Sequence, residues 1–146
     1  VSRTRQILLE FEGKINVIDV IRTFLETPRI AYLSTIDLQG YPHTVPVWFA
    51  VEGDTLIFST TRGRARVKHI LANPKGAVTI GGNLDEKEGY LIKGEFNIEE
   101  DPSQSLINQI LNRYLSGEAL EQFHARLAPE ERIIFRLTPT KVIKVR

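Results

Sequence analysis

A run of alternating residues spans positions 90–98 and constrains the fold more than any other feature. Every second position there is apolar or glycine: Tyr90, Ile92, Gly94, Phe96 and Ile98. Most of the positions between them are polar: Lys93, Glu95 and Asn97. Because successive side chains of a strand point to opposite faces, this pattern predicts a long β-strand with one buried face. Gly94 lies in the middle and predicts a β-bulge or a bend of the kind found in barrels.

Six further segments carry strand signals and are separated by turn residues. These segments are rich in β-branched and aromatic residues and span positions 29–36, 43–51, 55–60, 76–80, 132–137 and 141–145. Turn residues at 37–40 and 52–54 predict that the first three strands form an antiparallel meander. Pro46 has no backbone N–H, which predicts an edge or a bulge in the second strand. Residues 138–140 are expected to interrupt the chain between the last two strands.

Four helices are predicted between these strands. Asn16 is the expected N-cap of the first, which carries one apolar stripe over residues 17–25. The second spans 64–72 and is expected to face the core with Val67, Ile70 and Leu71. Asp101 and Pro102 predict the N-cap and first position of the third, and residues 118–127 form the fourth. Residues 1–15 support no single assignment, because Gly13 interrupts an apolar helical face.

The turn-linked strands with inserted helices predict a mainly β, α+β fold of antiparallel type rather than a parallel sheet. A length of 146 residues predicts one domain, 1–146. The net charge of +1 argues against nucleic acid and acidic membranes as partners, so any basic site must be local. The chain has no cysteine and its three histidines are scattered, so no metal site is expected. No membrane span or signal peptide is recognisable, which favours the cytoplasm.

The most basic stretch of the chain spans residues 59–74 and is a candidate phosphate site. It combines hydroxyl groups, a glycine and four cations at a helix start: Ser59, Thr60, Thr61, Gly63, Arg62, Arg64, Arg66 and Lys68. Hydroxyls, backbone N–H groups and cations together suit a bound phosphate. Basic runs are also often solvated faces, and spacing alone favours neither interpretation.

Three blocks, in this order, resemble the pyridoxamine-phosphate-oxidase-like, FMN-binding split-barrel proteins. They are residues 29–36 followed by 40–43, residues 45–49, and the basic stretch with its Asn73-Pro74 end. The late segment 133–140 also fits, and the resemblance covers residues 17–146. Within that group, the chain is most similar to the small flavin- or deazaflavin-dependent proteins.

The resemblance implies a six-stranded antiparallel split β-barrel of Greek-key type that forms a homodimer, with its cofactor at the dimer interface. The implied phosphate ligands are Arg64 and Arg66, and Lys68 and Arg62 are extra cations. Other implied cofactor contacts are Ser59, Thr60 and Thr61 beside the phosphate and Val45, Val47 and Trp48 along the isoalloxazine ring. Arg66 stands where many members have lysine, and Ala65 departs from members with a second basic residue there.

The expected function is an FMN-binding oxidoreductase that transfers a hydride or electron pair to or from a small organic substrate. Two alternatives stay open: a reductase dependent on the deazaflavin coenzyme F-420, and a noncatalytic flavin or heme binder or sensor. A barrel without any cofactor is a further reading. No catalytic residue is predicted, because structural roles are favoured for His43 and Tyr32. Trp48 is expected to pack, and His69 and His124 to lie on helix surfaces.

Overall fold

Seven antiparallel strands and four helices make up the part of the chain that the computed structural model describes, residues 16–146. The strands are β1 Ala31–Ile36, β2 Pro42–Val47, β3 Ala50–Glu52, β4 Thr55–Thr61, β5 Lys75–Gly81, β6 Gly89–Glu99 and β7 Arg132–Lys144. A 3₁₀ turn at Val17–Ile21 leads into α1 Arg22–Leu25, followed by α2 Ala65–Ala72, α3 Ser105–Tyr114 and α4 Gly117–Leu127. Residues 1–15, for which the sequence supports no single assignment, lie outside the described residues.

All seven strands belong to one sheet in the order β2-β1-β5-β6-β7-β4-β3. The predicted mainly β, antiparallel fold is confirmed, but the sheet has seven strands rather than six. Only Trp48 and Phe49 separate β2 from β3, which lie at opposite edges of this order. Three Cα–Cα steps span at most about 11 Å, so the sheet curls and brings its two edges near each other.

The predicted strand 43–51 is wrong in one respect, because the chain breaks at Trp48 and Phe49. The segment before the break pairs with β1 and the segment after it pairs with β4. The antiparallel pairings that the meander predicted are therefore present, but the two halves of this segment make them at opposite edges of the sheet, so the three strands do not form one continuous meander. The edge position predicted from Pro46 is confirmed, because β2 lies at one end of the sheet.

The longest ladder joins β6 to β7 and contains the bulge that Gly94 predicted. Gly94 pairs with Pro139 and Lys93 with Lys141, so the register shifts between Lys93 and Gly94. A Cβ atom on Gly94 would collide with the carbonyl oxygen of Thr138. The interruption predicted at 138–140 is wrong, because the bulge accommodates Pro139 within one continuous strand.

The main core is formed by alternate residues of the sheet together with the N-terminal helical segment. Buried side chains in this core include Ile18, Leu25, Leu33, Phe49, Phe58, Val78, Ile92, Phe96, Phe135 and Val142. A second cluster, Ala50, Ile57, Ile110 and Ile134, lies where α3 packs on β3, β4 and β7. The chain therefore packs the inside of the curled sheet and also covers part of its outside.

Two helix predictions need correction. Leu71 is 74% exposed, because α2 turns only Ile70 fully and Val67 partly toward the core. The third helix begins at Ser105 rather than at Pro102. Asp101 still caps it, since its carboxylate accepts hydrogen bonds from the N–H groups of Leu106 and Ile107.

None of the helices within residues 16–146 is long and apolar enough to cross a membrane.

Candidate functional site

Two arginines from distant parts of the sequence meet at the end of β4. Arg66, in the first turn of α2, donates from Nη2 to the hydroxyl of Thr60 at 2.7 Å. Arg132, at the start of β7, donates from Nε to the hydroxyl of Ser59 at 3.0 Å. Both arginine side chains are half-buried. Successive residues of a strand point to opposite faces of the sheet, yet the two guanidinium groups that Ser59 and Thr60 bind line the same cavity.

The positive charge of Arg66 is not matched by a carboxylate within the part of the chain that the structure describes. Among the described residues, the Arg66 side chain makes a single hydrogen bond, which goes to Thr60. The buried Nε atom of Arg66 has no partner among them. Burial lowers the pKa of Arg66, and the nearby cations Arg64 and Arg132 lower it further. A bound anion would raise the pKa of Arg66 again, because it would pair with the unmatched charge.

Burial also lowers the pKa of Arg132, while Glu130 raises it and Arg64 lowers it. The contact between Arg132 Nη1 and the Glu130 carboxylate is long, at 3.3 Å. Glu130 therefore offsets only part of the charge of Arg132. Arg66 and Arg132 together are therefore a candidate anion site.

A cavity of about 190 Å³ adjoins these cations. One wall is polar and contains Ser59, Arg66 and Arg132. The other walls are apolar and come from β2, the residue after it, α3 and α4: Pro46, Val47, Trp48, Ile107, Ile110, Leu111 and Phe123. An apolar pocket with a few converging polar groups is the usual form of a small-molecule site.

Trp48 is the chain's single tryptophan and fixes the shape of the apolar wall. Its ring stacks on Tyr114, with centroids 4.8 Å apart and planes 7° apart, and lies 5.4 Å from the ring of Phe123. The Tyr114 hydroxyl donates to the carbonyl of Arg29 at 2.6 Å and accepts from the N–H of Phe49 at 3.2 Å. Burial raises the pKa of Tyr114. The packing role predicted for Trp48 is confirmed.

A family model described as pyridoxamine 5'-phosphate oxidase matches residues 17–146. The chain belongs to the pyridoxamine 5'-phosphate oxidase family. The family resemblance seen in the sequence is therefore confirmed. A search of curated proteins finds no match to this chain.

Solved structures of similar fold carry several different descriptions. An F420 reductase has a TM-score of 0.67 and 24% identity, over 83% of this chain and 94% of that one. A conserved hypothetical protein from Mycobacterium tuberculosis has a TM-score of 0.72 and 18% identity, over 92% of this chain and 84% of that one. The heme storage protein HutZ from Vibrio cholerae has a TM-score of 0.67 and 17% identity, over 89% of this chain and 96% of that one. These similarities show the fold.

The cofactor contacts that the oxidase-family resemblance implied fall into two groups. Ser59, Arg66, Val47 and Trp48 line the 190 Å³ cavity, and Thr60 holds Arg66. The remaining four lie outside its lining: Val45, Thr61, Arg64 and Lys68. Arg64 is the exposed N-cap residue of α2, and Lys68 is exposed on the same helix.

The extra cation Arg62 is engaged elsewhere in this member of the oxidase family. It forms salt bridges with Glu100 at 2.6 Å and with Glu131 at 3.3 Å. Arg132 was missed by the sequence reasoning. Arg132 is brought beside the basic stretch because it pairs with Thr61 in the β4–β7 ladder. This pairing can be recognised only when the order of the strands in the sheet is known.

The histidines form a pair that the sequence did not predict. His69 is only 7% exposed, its Nδ1 lies 2.9 Å from the Thr35 hydroxyl, and its ring meets that of His43 edge-on at 4.9 Å. The surface position predicted for His69 is wrong, because α2 packs this face against β1. Within residues 16–146, no three His, Cys, Asp or Glu side chains are grouped so as to hold a metal ion.

Proposed function

We propose that this member of the pyridoxamine 5'-phosphate oxidase family is an FMN-binding oxidoreductase that acts on a small organic substrate. The observation that carries the proposal is the half-buried Arg66 guanidinium, which has no acidic partner among residues 16–146 and adjoins an apolar cavity. A phosphate group provides charge and several acceptor oxygens for such a group.

The residues present fit a flavin nucleotide, which joins a planar ring system to a phosphate. Arg66 and Arg132 would bind the phosphate, and Val47, Trp48 and Phe123 would cover an apolar ring surface. As an edge strand, β2 has backbone groups without ladder partners, and these suit the polar atoms of the ring. When bound, the flavin supplies hydride or electron-pair transfer, and the protein contributes positioning and the exclusion of water.

The size of the cavity supports a second copy of this chain as partner. Small-molecule pockets usually measure about 300–1,000 Å³, and 190 Å³ is below that range. One chain would therefore hold only part of a flavin nucleotide. Beside β2, the exposed side chains of Ile30 and Tyr32 offer apolar surface for a dimer contact. We infer a homodimer with the cofactor at its interface.

The deazaflavin coenzyme F-420 is the second candidate cofactor. It carries an acidic tail beyond its phosphate, and the exposed cations Arg64 and Lys68 lie outside the cavity where such a tail would meet them. A heme binder is less well matched to this cavity, since no histidine is among the residues that line it.

The test is a parallel titration with FMN, riboflavin, F-420 and heme, followed by the fluorescence of Trp48. We expect quenching by FMN at lower concentration than by riboflavin, because riboflavin has no phosphate. Protein that binds none of the four would overturn the proposal. Tight FMN binding without turnover of any reducible or oxidisable substrate would favour the noncatalytic alternative. Light scattering with and without FMN tests the dimer, for which we expect twice the mass of one chain.

A further inference from the structure

A second and larger cavity lies between helices α3 and α4 and the outer face of strands β4 and β7. Its volume is about 580 Å³, which is within the usual range for small-molecule pockets. It shares Ser59, Ile107 and Arg132 with the 190 Å³ cavity. The two cavities are therefore neighbours, with Arg132 in the wall between them.

Helix α4 covers both cavities without filling them. None of its residues is buried, and its large apolar residues Leu120, Phe123 and Leu127 are only half-buried. Phe123 lines the small cavity, and Leu127 lines the large one together with His124. An amphipathic helix normally buries its apolar stripe against the core. Here part of that stripe is left open to a ligand.

The charges around the large cavity indicate what kind of ligand it suits. Four carboxylates line it, against two guanidinium groups: Glu100, Asp101, Glu130 and Glu131 against Arg62 and Arg132. Glu100 and Glu131 share the single cation Arg62. The surplus is negative, so an organic cation is attracted and an anion is repelled. Apolar contact is available from Ile107 and Leu127.

We propose that this cavity is a second small-molecule site that takes an organic cation with an apolar body. Its position beside the anion site makes it the substrate site of the oxidoreductase, an assignment that rests on the proposed function. Arg132 then lies between the cofactor's phosphate and the substrate. The binding of the cation itself needs only the cavity and its charges.

The experiment uses three probes with the same ring and different charge: benzylamine in its protonated form, benzyl alcohol and benzoate. Binding is measured by calorimetry at low salt and located from the NMR shifts of isoleucine and leucine methyl groups. We expect shifts at Ile107 and Leu127 and a preference for benzylamine over benzyl alcohol of about two- to five-fold, as is usual for exposed charges. Benzoate that binds as tightly as benzylamine overturns the proposal, and so does the absence of binding.

Variants separate the cavity from its charge. Leu127→Trp fills the cavity and should abolish benzylamine binding while the affinity for FMN is kept. Glu100→Gln combined with Glu131→Gln should remove the preference for benzylamine but retain binding of benzyl alcohol. Glu121→Gln, an exposed change on the same helix, is the matched control and should change neither. Benzylamine affinity that survives Leu127→Trp in the folded protein overturns the proposal.

The two proposals fail in different ways. If FMN does not bind but benzylamine does, the second site is supported and the proposed function is lost. If FMN binds and benzylamine does not, the second site is overturned and the proposed function stands.

Discussion

Replacement of Arg66 by glutamine should weaken the binding of FMN far more than that of riboflavin. Arg66 donates a hydrogen bond from Nη2 to the hydroxyl of Thr60, and its buried Nε has no partner in the described residues. A hydrogen bond between a guanidinium and a phosphate is worth about 1.5–3 kcal/mol. Loss of one such bond therefore raises the Kd for FMN by about 10- to 150-fold. Riboflavin has no phosphate, so its Kd should change little.

The ratio of the two affinities isolates the phosphate, because any general damage to the cavity affects both ligands. Quenching of Trp48 fluorescence reports both titrations, and circular dichroism establishes that the variant is folded. Arg22→Gln is the control, since Arg22 pairs with Asp19 and lines neither of the two cavities. An equal loss for FMN and riboflavin, or an unchanged Kd for FMN, would refute the assignment of Arg66 to the phosphate.

Three further predictions concern stability. Gly94→Ala places a Cβ against the Thr138 carbonyl and should lower the free energy of unfolding in urea by about 1–3 kcal/mol. The hydrogen bond from Arg136 lowers the pKa of Glu99. The stability that this bond adds to the folded protein is therefore present at neutral pH and is lost as pH falls below 4.5. Glu99→Gln should therefore flatten the acid side of a plot of Tm against pH. Tyr114→Phe leaves one N–H and one carbonyl without their partner and should cost about 1–3 kcal/mol in urea unfolding.

Each of these has a control that the structure supplies. Gly63→Ala meets open space and should be close to neutral, so an equal effect at both glycines would contradict the clash. Glu121→Gln should leave the pH dependence of Tm unchanged, and a similar flattening there would remove the role of Glu99. Tyr41 is exposed, so Tyr41→Phe should leave stability unchanged. A Tyr114→Phe variant as stable as the parent would show that its hydroxyl contributes nothing.

The nature of the individual elements was largely predictable from sequence. Alternation over 90–98 predicted β6 and its buried face, and Gly94 predicted the bulge, because both depend on side chains that are close in sequence. The N-cap role of Asn16 was predictable for the same reason, and its side chain accepts a hydrogen bond from the N–H of Ile18. The basic stretch 59–74 and the family blocks also directed attention to Ser59, Thr60 and Arg66, which lie next to one another in the structure.

Pairing and placement were decided by tertiary structure. Residues 43–51 read as one strand, yet the curled sheet needs a break at Trp48 and Phe49 so that the chain can pass from one edge to the other. His69 has the spacing of a surface residue, but the packing of α2 buries it against Thr35. Such outcomes depend on contacts between distant segments, which a local pattern does not encode.

The basic stretch at 59–74 shows both contributions at one site. The sequence by itself determined that cations and hydroxyls are concentrated there, because that is a matter of composition and of neighbours along the chain. Only the tertiary structure decided which cations converge. It pairs Arg62 with Glu100, leaves Arg64 exposed, and brings Arg132 to Ser59. The physical reason is that β7 pairs with β4, so a guanidinium group from a distant segment joins Arg66 beside one apolar cavity.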